Sequence, residues 1–143
     1  MQKPFKKYFY PSRHFWMILL IYWISLIFYL SNQSYKPVWV VPPSAFNLIH
    51  EVRDEWPEIL AHMTEYTVLT TLFAVNLSKF SRLNRQAIIL WAILIVFLFS
   101  LSDEFHQSFI PGRNCSLFDI VCDSIGILIG TMIYKKIYDK RKT

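Results

Sequence analysis

Residues 87–101 read AIILWAILIVFLFSL, an almost unbroken apolar run in which Ser100 is the only strongly polar side chain. A helix on the surface of a soluble bundle shows a polar stripe at every turn, and this run has none. It therefore reads as a segment that crosses a lipid bilayer. A spanning helix needs ~20 residues, with about 17 as the short limit, so the run recruits flanking residues such as Ser102 and Asp103. Three more blocks lie outward from it. Residues 15–30 have only Ser25 as an interior polar residue, residues 59–77 are interrupted by His62, Glu65 and several threonines, and residues 117–138 carry Asp119, Asp123 and a basic end.

The composition agrees with that reading. Of 143 residues, 54 % are hydrophobic and 17 % charged, against about 25 % charged in a typical soluble domain. The chain is long enough for one domain and too short for two ordinary cores. Twelve Phe, eight Tyr and five Trp exclude a solvated disordered tail. Two cysteines, Cys115 and Cys122, cannot build a disulfide framework or a four-cysteine zinc site. The expected fold is all-α, a polytopic membrane bundle of four transmembrane helices. A single domain covers residues 1–143, with spans at about 14–31, 59–77, 87–104 and 117–138 and an outer loop at 32–58.

The formal charge of +5 raises the question of nucleic acid, and the placement of the charges answers it. All lysines and arginines except Lys36, Arg53 and Arg113 lie before the first block, in the connection holding Lys79, Arg82 and Arg85, or in the tail from Lys135 to Lys142. Basic residues concentrate in cytoplasmic segments of membrane proteins. Both termini and the middle connection are thus expected in the cytoplasm, and no nucleic-acid partner is needed. The basic N-terminus followed by an apolar run resembles a secretory signal, but Ser31, Asn32 and Gln33 offer no small-x-small cleavage site. It reads as an uncleaved first span of a multi-pass protein of the cell membrane. In the first connection, residues 45–56 read as a short interfacial helix capped by Ser44, with Trp39 and Trp56 at the membrane boundary.

This topology gathers the ionisable residues at one level near the outer face. His62 and Glu65 fall in the outer turns of the second span, Asp103, Glu104, His106 and Gln107 at the outer end of the third, and Asp119 and Asp123 in the first turns of the fourth. At about 100° per residue, His62 and Glu65 lie about 60° apart with Tyr66 continuing their face. Asp103, His106 and Gln107 share a face, while Glu104 points about 100° away. Asp119, Asp123, Gly126 and Gly130 fall within about 40° of one line, and the glycine pair makes a small-x-x-x-small strip for close helix packing. Burying a carboxylate in a membrane costs at least ~2.5 kcal/mol, so such a group persists only when it is paired, hydrated, protonated or bound to a ligand. Arg113 is the cation at hand, able to neutralise Asp103, Asp119 or Asp123 or to offer its fork to a phosphate.

Each piece also has a structural reading. Asp119 and Asp123 suit a helix start, Arg113 a structural ion pair, and His62 a hydrogen-bonded packing role. His62, Glu65, Asp103, His106, Asp119 and Asp123 are acceptable nitrogen and oxygen metal ligands. The single His-x-x-Glu lacks the repeat of a di-iron bundle, which leaves a metal and any other cofactor unassigned. No nucleophile-elbow sequence points to a serine hydrolase.

The motifs Ser102-Asp103-Glu104-Phe105-His106-Gln107, Ile110-Pro111-Gly112-Arg113 and Asp119, Asp123, Gly126, Gly130 together resemble the signature of the VanZ-like integral membrane family. His62-Met63-Thr64-Glu65-Tyr66 is similar to that family's earlier motif, and Ser31-Asn32-Gln33-Ser34 to its polar exit from the first helix. One departure is Ile59, where the family often has a basic residue before the first histidine. If that cation holds an anion in relatives, this chain holds it differently. The resemblance implies a small bacterial membrane protein whose named relative is associated with low-level resistance to the glycopeptide teicoplanin. It also implies that the matching positions carry the function.

The expected site acts on, or binds, a cell-envelope component with a polar head group, such as a lipid-linked cell-wall precursor or another anionic membrane lipid. His62, Glu65, Asp103, Glu104 and His106 are the candidate catalytic residues, with the imidazoles as proton donors or acceptors. Tyr66, Gln107, Arg113, Asp119 and Asp123 are the candidate substrate-binding residues. The alternative is a non-enzymatic membrane interaction or drug-shielding protein whose polar cluster fixes helix packing. A transporter is disfavoured, since four short helices enclose a small path.

Overall fold

The computed structural model describes residues 11–33, 56–111, 113 and 115–140. They form four helices: α1 (Arg13–Ser31), α2 (Trp56–Phe80), α3 (Arg85–Gln107) and α4 (Leu117–Lys140). The interfacial helix expected at residues 45–56 falls, apart from Trp56, outside the described residues. The helices start where the sequence supplies caps. The Ser12 hydroxyl accepts from the Phe15 N–H at 3.2 Å, and the Asn84 carbonyl oxygen accepts from the Ala87 N–H at 2.9 Å. Ser116 does the same for the Asp119 N–H at 3.2 Å. α2 starts three residues ahead of its apolar block, because Pro57 is tolerated in a first turn and Glu58 suits the helix dipole there.

Successive helices run up and down. The end of α1 meets the end of α3 through Ser31 and Asp103, while the start of α2 meets the start of α4 through His62 and Asp123. At the opposite pole Asn76 of α2 donates to the Trp16 carbonyl of α1, and Arg85 of α3 pairs with Asp139 of α4. The most extensive packing is between α2 and α4. Gly126 and Gly130 make it possible: a Cβ on Gly126 would stand 2.6 Å from the Met63 carbonyl oxygen, and one on Gly130 2.5 Å from that of Thr67. The Thr67 and Thr71 hydroxyls use the close approach to donate to the carbonyls of Gly126 and Gly130 at 3.1 and 3.2 Å.

Two apolar clusters fill the interior, one around Ile27, Tyr66, Leu69, Val96 and Ile127, the other around Ala74, Val75, Ile88, Ala92 and Tyr134. The outward faces are equally apolar, with Ile18, Ile21, Leu90, Leu98, Leu128 and Met132 exposed. A protein surrounded by water rarely presents so broad an apolar surface. By length and composition α1, α3 and α4 can each cross a membrane. α2 is long enough but less apolar. Its polar residues His62, Tyr66, Thr70 and Asn76 are buried against neighbouring helices instead of facing outward.

Candidate functional site

The polar residues collect at the end of the bundle where α1 and α3 finish and α2 and α4 begin. They form two sets that differ in how completely they are partnered.

The first set ties α1 to α3 and to the turn that follows. The Ser31 hydroxyl donates to the Asp103 carboxylate, at 2.7 Å from Oδ1 and 2.8 Å from Oδ2. One turn on, Gln107 Nε2 donates to Asp103 Oδ2 at 3.0 Å, and Gln107 Oε1 accepts from Arg113 Nη1 at 2.9 Å. Arg113 reaches back because the chain turns sharply after α3, with hydrogen bonds from Phe109 to His106 and from Ile110 to Gln107. Its Nε donates to the Gln33 carbonyl at 3.0 Å, and Nη1 lies 3.5 Å from Glu58 Oε1. Ser31, Asp103 and Gln107 are buried. Asp103 is thus a carboxylate satisfied by two neutral donors, with Arg113 held one residue beyond it.

The second set joins α2, α3 and α4. His62 Nδ1 lies 2.9 Å from Asp123 Oδ1, and the Ser100 hydroxyl donates to Asp123 Oδ2 at 2.6 Å. Asp123 is fully buried and His62 is 4 % exposed. This contact fixes the orientation of the His62 imidazole against Asp123. Glu104, 1 % exposed, accepts from the Ser116 N–H through Oε2 at 3.0 Å, while Oε1 is buried without a hydrogen-bond partner among the described residues. The Tyr66 hydroxyl, one turn along α2 from His62, is also buried and unpartnered. One ligand atom from each of His62, Glu104 and Asp123 lies within 4.8 Å of the others. Among the described residues this is the group with metal-ligating potential.

The remaining candidates sit around these sets. The His106 ring stacks on Phe28 with centroids 5.0 Å apart, and its Nε2 lies 3.2 Å from Asn32 Oδ1. It is half-buried at the edge, while Asp103 and Gln107 of the same helical face are buried. Glu65 is half-buried and its backbone carbonyl accepts from Trp23 Nε1 at 3.0 Å. Its carboxylate makes no hydrogen bond among the described residues. Asp119 is half-buried, whereas Asp123, one turn further on, is fully inside. Glu104, expected about 100° away from Asp103, does point in a different direction. It is nonetheless buried, because α3 has α1 on one side and α4 on the other.

The family comparison covers nearly all of these residues. A model of the VanZ/LLP1 family matches residues 16–138. The chain belongs to the VanZ/LLP1 family. No curated protein and no solved structure gives a significant match. In this VanZ/LLP1 chain two residues that bond to the candidates, Ser100 and Glu58, escape a reading of the sequence. Ser100 hides in the apolar run that marks α3, and its signal is its position one turn before Glu104, on the face that meets α4. Glu58 falls in the stretch expected as the outer loop, and only the early start of α2 brings it to Arg113.

Proposed function

We propose that this protein crosses the cell membrane of a bacterium four times with both termini in the cytoplasm, and that its polar end lies at the outer face. The basic residues around α1, between α2 and α3 and in the tail support that orientation. We further propose that the polar end binds or acts on a cell-envelope component with an anionic head group, such as a lipid-linked cell-wall precursor. This would connect the chain to glycopeptide tolerance of the teicoplanin type. The observation that carries the reading is the His62–Asp123–Ser100 relay beside the half-satisfied carboxylate of Glu104. An imidazole oriented by a buried carboxylate is an arrangement suited to moving a proton. Tyr66 supplies a hydroxyl with no competing partner, and Arg113, held by Gln33, Gln107 and Glu58, orders the rim. Glu65, Asp119 and His106, only partly buried, are the groups through which a head group would reach the interior.

A non-enzymatic interaction or drug-shielding role is the second reading. It draws support from the first polar set, where Ser31, Asp103, Gln107 and Arg113 satisfy one another. The two readings separate in one assay. Cells expressing wild type or His62→Gln are compared for teicoplanin susceptibility, with membrane abundance measured in parallel. The site reading expects wild type to raise tolerance several-fold and the variant to lose it at equal abundance. Tolerance that falls only in step with abundance supports the packing role. No effect of abundant wild type sinks the resistance link.

A further inference from the structure

We propose that His62, Glu104 and Asp123 form a three-ligand site for a divalent transition-metal ion, Zn²⁺ or Mn²⁺ by its donor set. The site is assembled from three separate helices. His62 comes from the second turn of α2, Glu104 from the last turns of α3 and Asp123 from the second turn of α4. One nitrogen or oxygen of each lies within 4.8 Å of the other two. Ligands about 2.1 Å from a shared ion stand about 3.0 Å apart at adjacent corners of an octahedron and about 3.4 Å apart in a tetrahedron. His62 Nδ1 and Asp123 Oδ1 stand 2.9 Å apart across a hydrogen bond, and an ion taken up between them would displace the proton they share. Glu104 belongs to the same group, whose ligand atoms spread over up to 4.8 Å, so binding an ion would draw its carboxylate inward.

A second observation, independent of that spacing, points to a ligand. Among the described residues Glu104 Oε1 is buried and has no donor, on a residue only 1 % exposed. A buried carboxylate oxygen without a partner costs ~1–3 kcal/mol or more. A bound cation satisfies Oε1 and at the same time offsets the negative charge of Asp123. One imidazole with two carboxylates is a mixed nitrogen and oxygen donor set, suited to borderline metals and lacking the sulfur that thiophilic ions prefer. Ser100, bonded to the distal oxygen of Asp123 at 2.6 Å, would orient that ligand from behind. Three protein ligands leave coordination positions open, and the unpartnered Tyr66 hydroxyl lies one turn along α2 from the first of them. The metal site stands whether or not the head-group reading holds.

The test uses the full chain purified in detergent, stripped with chelator, equilibrated with ZnCl₂ or MnCl₂, washed and assayed for metal by mass spectrometry. Wild type is expected to retain about one ion per chain and to melt at a higher temperature with the ion than with chelator. Glu104→Gln, nearly isosteric, is expected to lose retention. Ser100→Ala is expected to weaken it about 10-fold, as loss of an orienting partner does. Asp139→Asn, at the other pole, is expected to keep wild-type retention. Wild type that holds no ion and melts identically with chelator overturns the proposal. Equal retention by Glu104→Gln overturns it as well. If that variant does not fold, wild-type retention and the Ser100→Ala series decide.

Discussion

The two polar sets at this end of the bundle each centre on a buried aspartate that accepts from a serine, yet they differ in completeness. Between α1 and α3, Asp103 receives Ser31 and Gln107, and Gln107 receives Arg113. Among α2, α3 and α4, Asp123 receives His62 and Ser100, but Glu104 Oε1 and the Tyr66 hydroxyl receive nothing. A buried network with every member satisfied rigidifies a fold, while unsatisfied buried groups cost stability. The first set is therefore a strut. The second retains groups without partners among the described residues, and on the proposed reading these meet a ligand.

The largest effect should come from forcing the second set apart. Gly126→Val places its side chain against the Met63 carbonyl and pushes α2 from α4. Overpacking of this kind costs about 3 kcal/mol, occasionally more. Little folded protein is expected by size-exclusion chromatography, and wild-type recovery would show that the α2–α4 approach is looser than described. Next comes the strut. Asp103→Asn leaves Ser31 and Gln107 competing for one acceptor, with an expected loss of about 1–3 kcal/mol. That loss is read as a lower melting temperature, and tolerance should fall only as far as abundance does. If Asp103→Asn instead removes tolerance at full abundance, the division between strut and site fails.

Much of this architecture was legible in the sequence, and the division was not. The four helices follow from the apolar blocks, and the Gly126–Gly130 strip correctly marks the closest packing face. The ten candidate residues do gather at one end, for a helix-period argument places ionisable side chains at shared depth. What periodicity cannot supply is which donor meets which acceptor. The deciding pairs, Ser31 with Asp103 and His62 with Asp123, join residues far apart in sequence. Ser100 was hidden because a serine amid isoleucine, leucine and phenylalanine changes the apolar pattern little. His106 shares a helical face with Asp103, but that face curves past Phe28 toward the edge.

Smaller effects sharpen the contrast further. Arg113→Lys keeps the charge but replaces a fork that serves Gln33 and Gln107 at once. A loss of about 1 kcal/mol is expected on this half-buried side chain, and a melting temperature equal to wild type would remove Arg113 from the strut. The smallest effect belongs to the opposite pole, where Arg85 and Asp139 pair at the surface. Exposed pairs contribute ~0–1 kcal/mol. Asp139→Asn should melt within a degree or two of wild type, and a large drop would mean that charge pairing holds both ends of the bundle.

The most direct test of the contrast is Glu104→Gln, measured for melting temperature in chelator and for teicoplanin tolerance at matched membrane abundance. Removing a buried charge that lacks a full set of partners should leave the melting temperature unchanged or raised, while tolerance is lost. A melting temperature several degrees lower, with tolerance tracking abundance, would contradict the account and make Glu104 one more element of the strut.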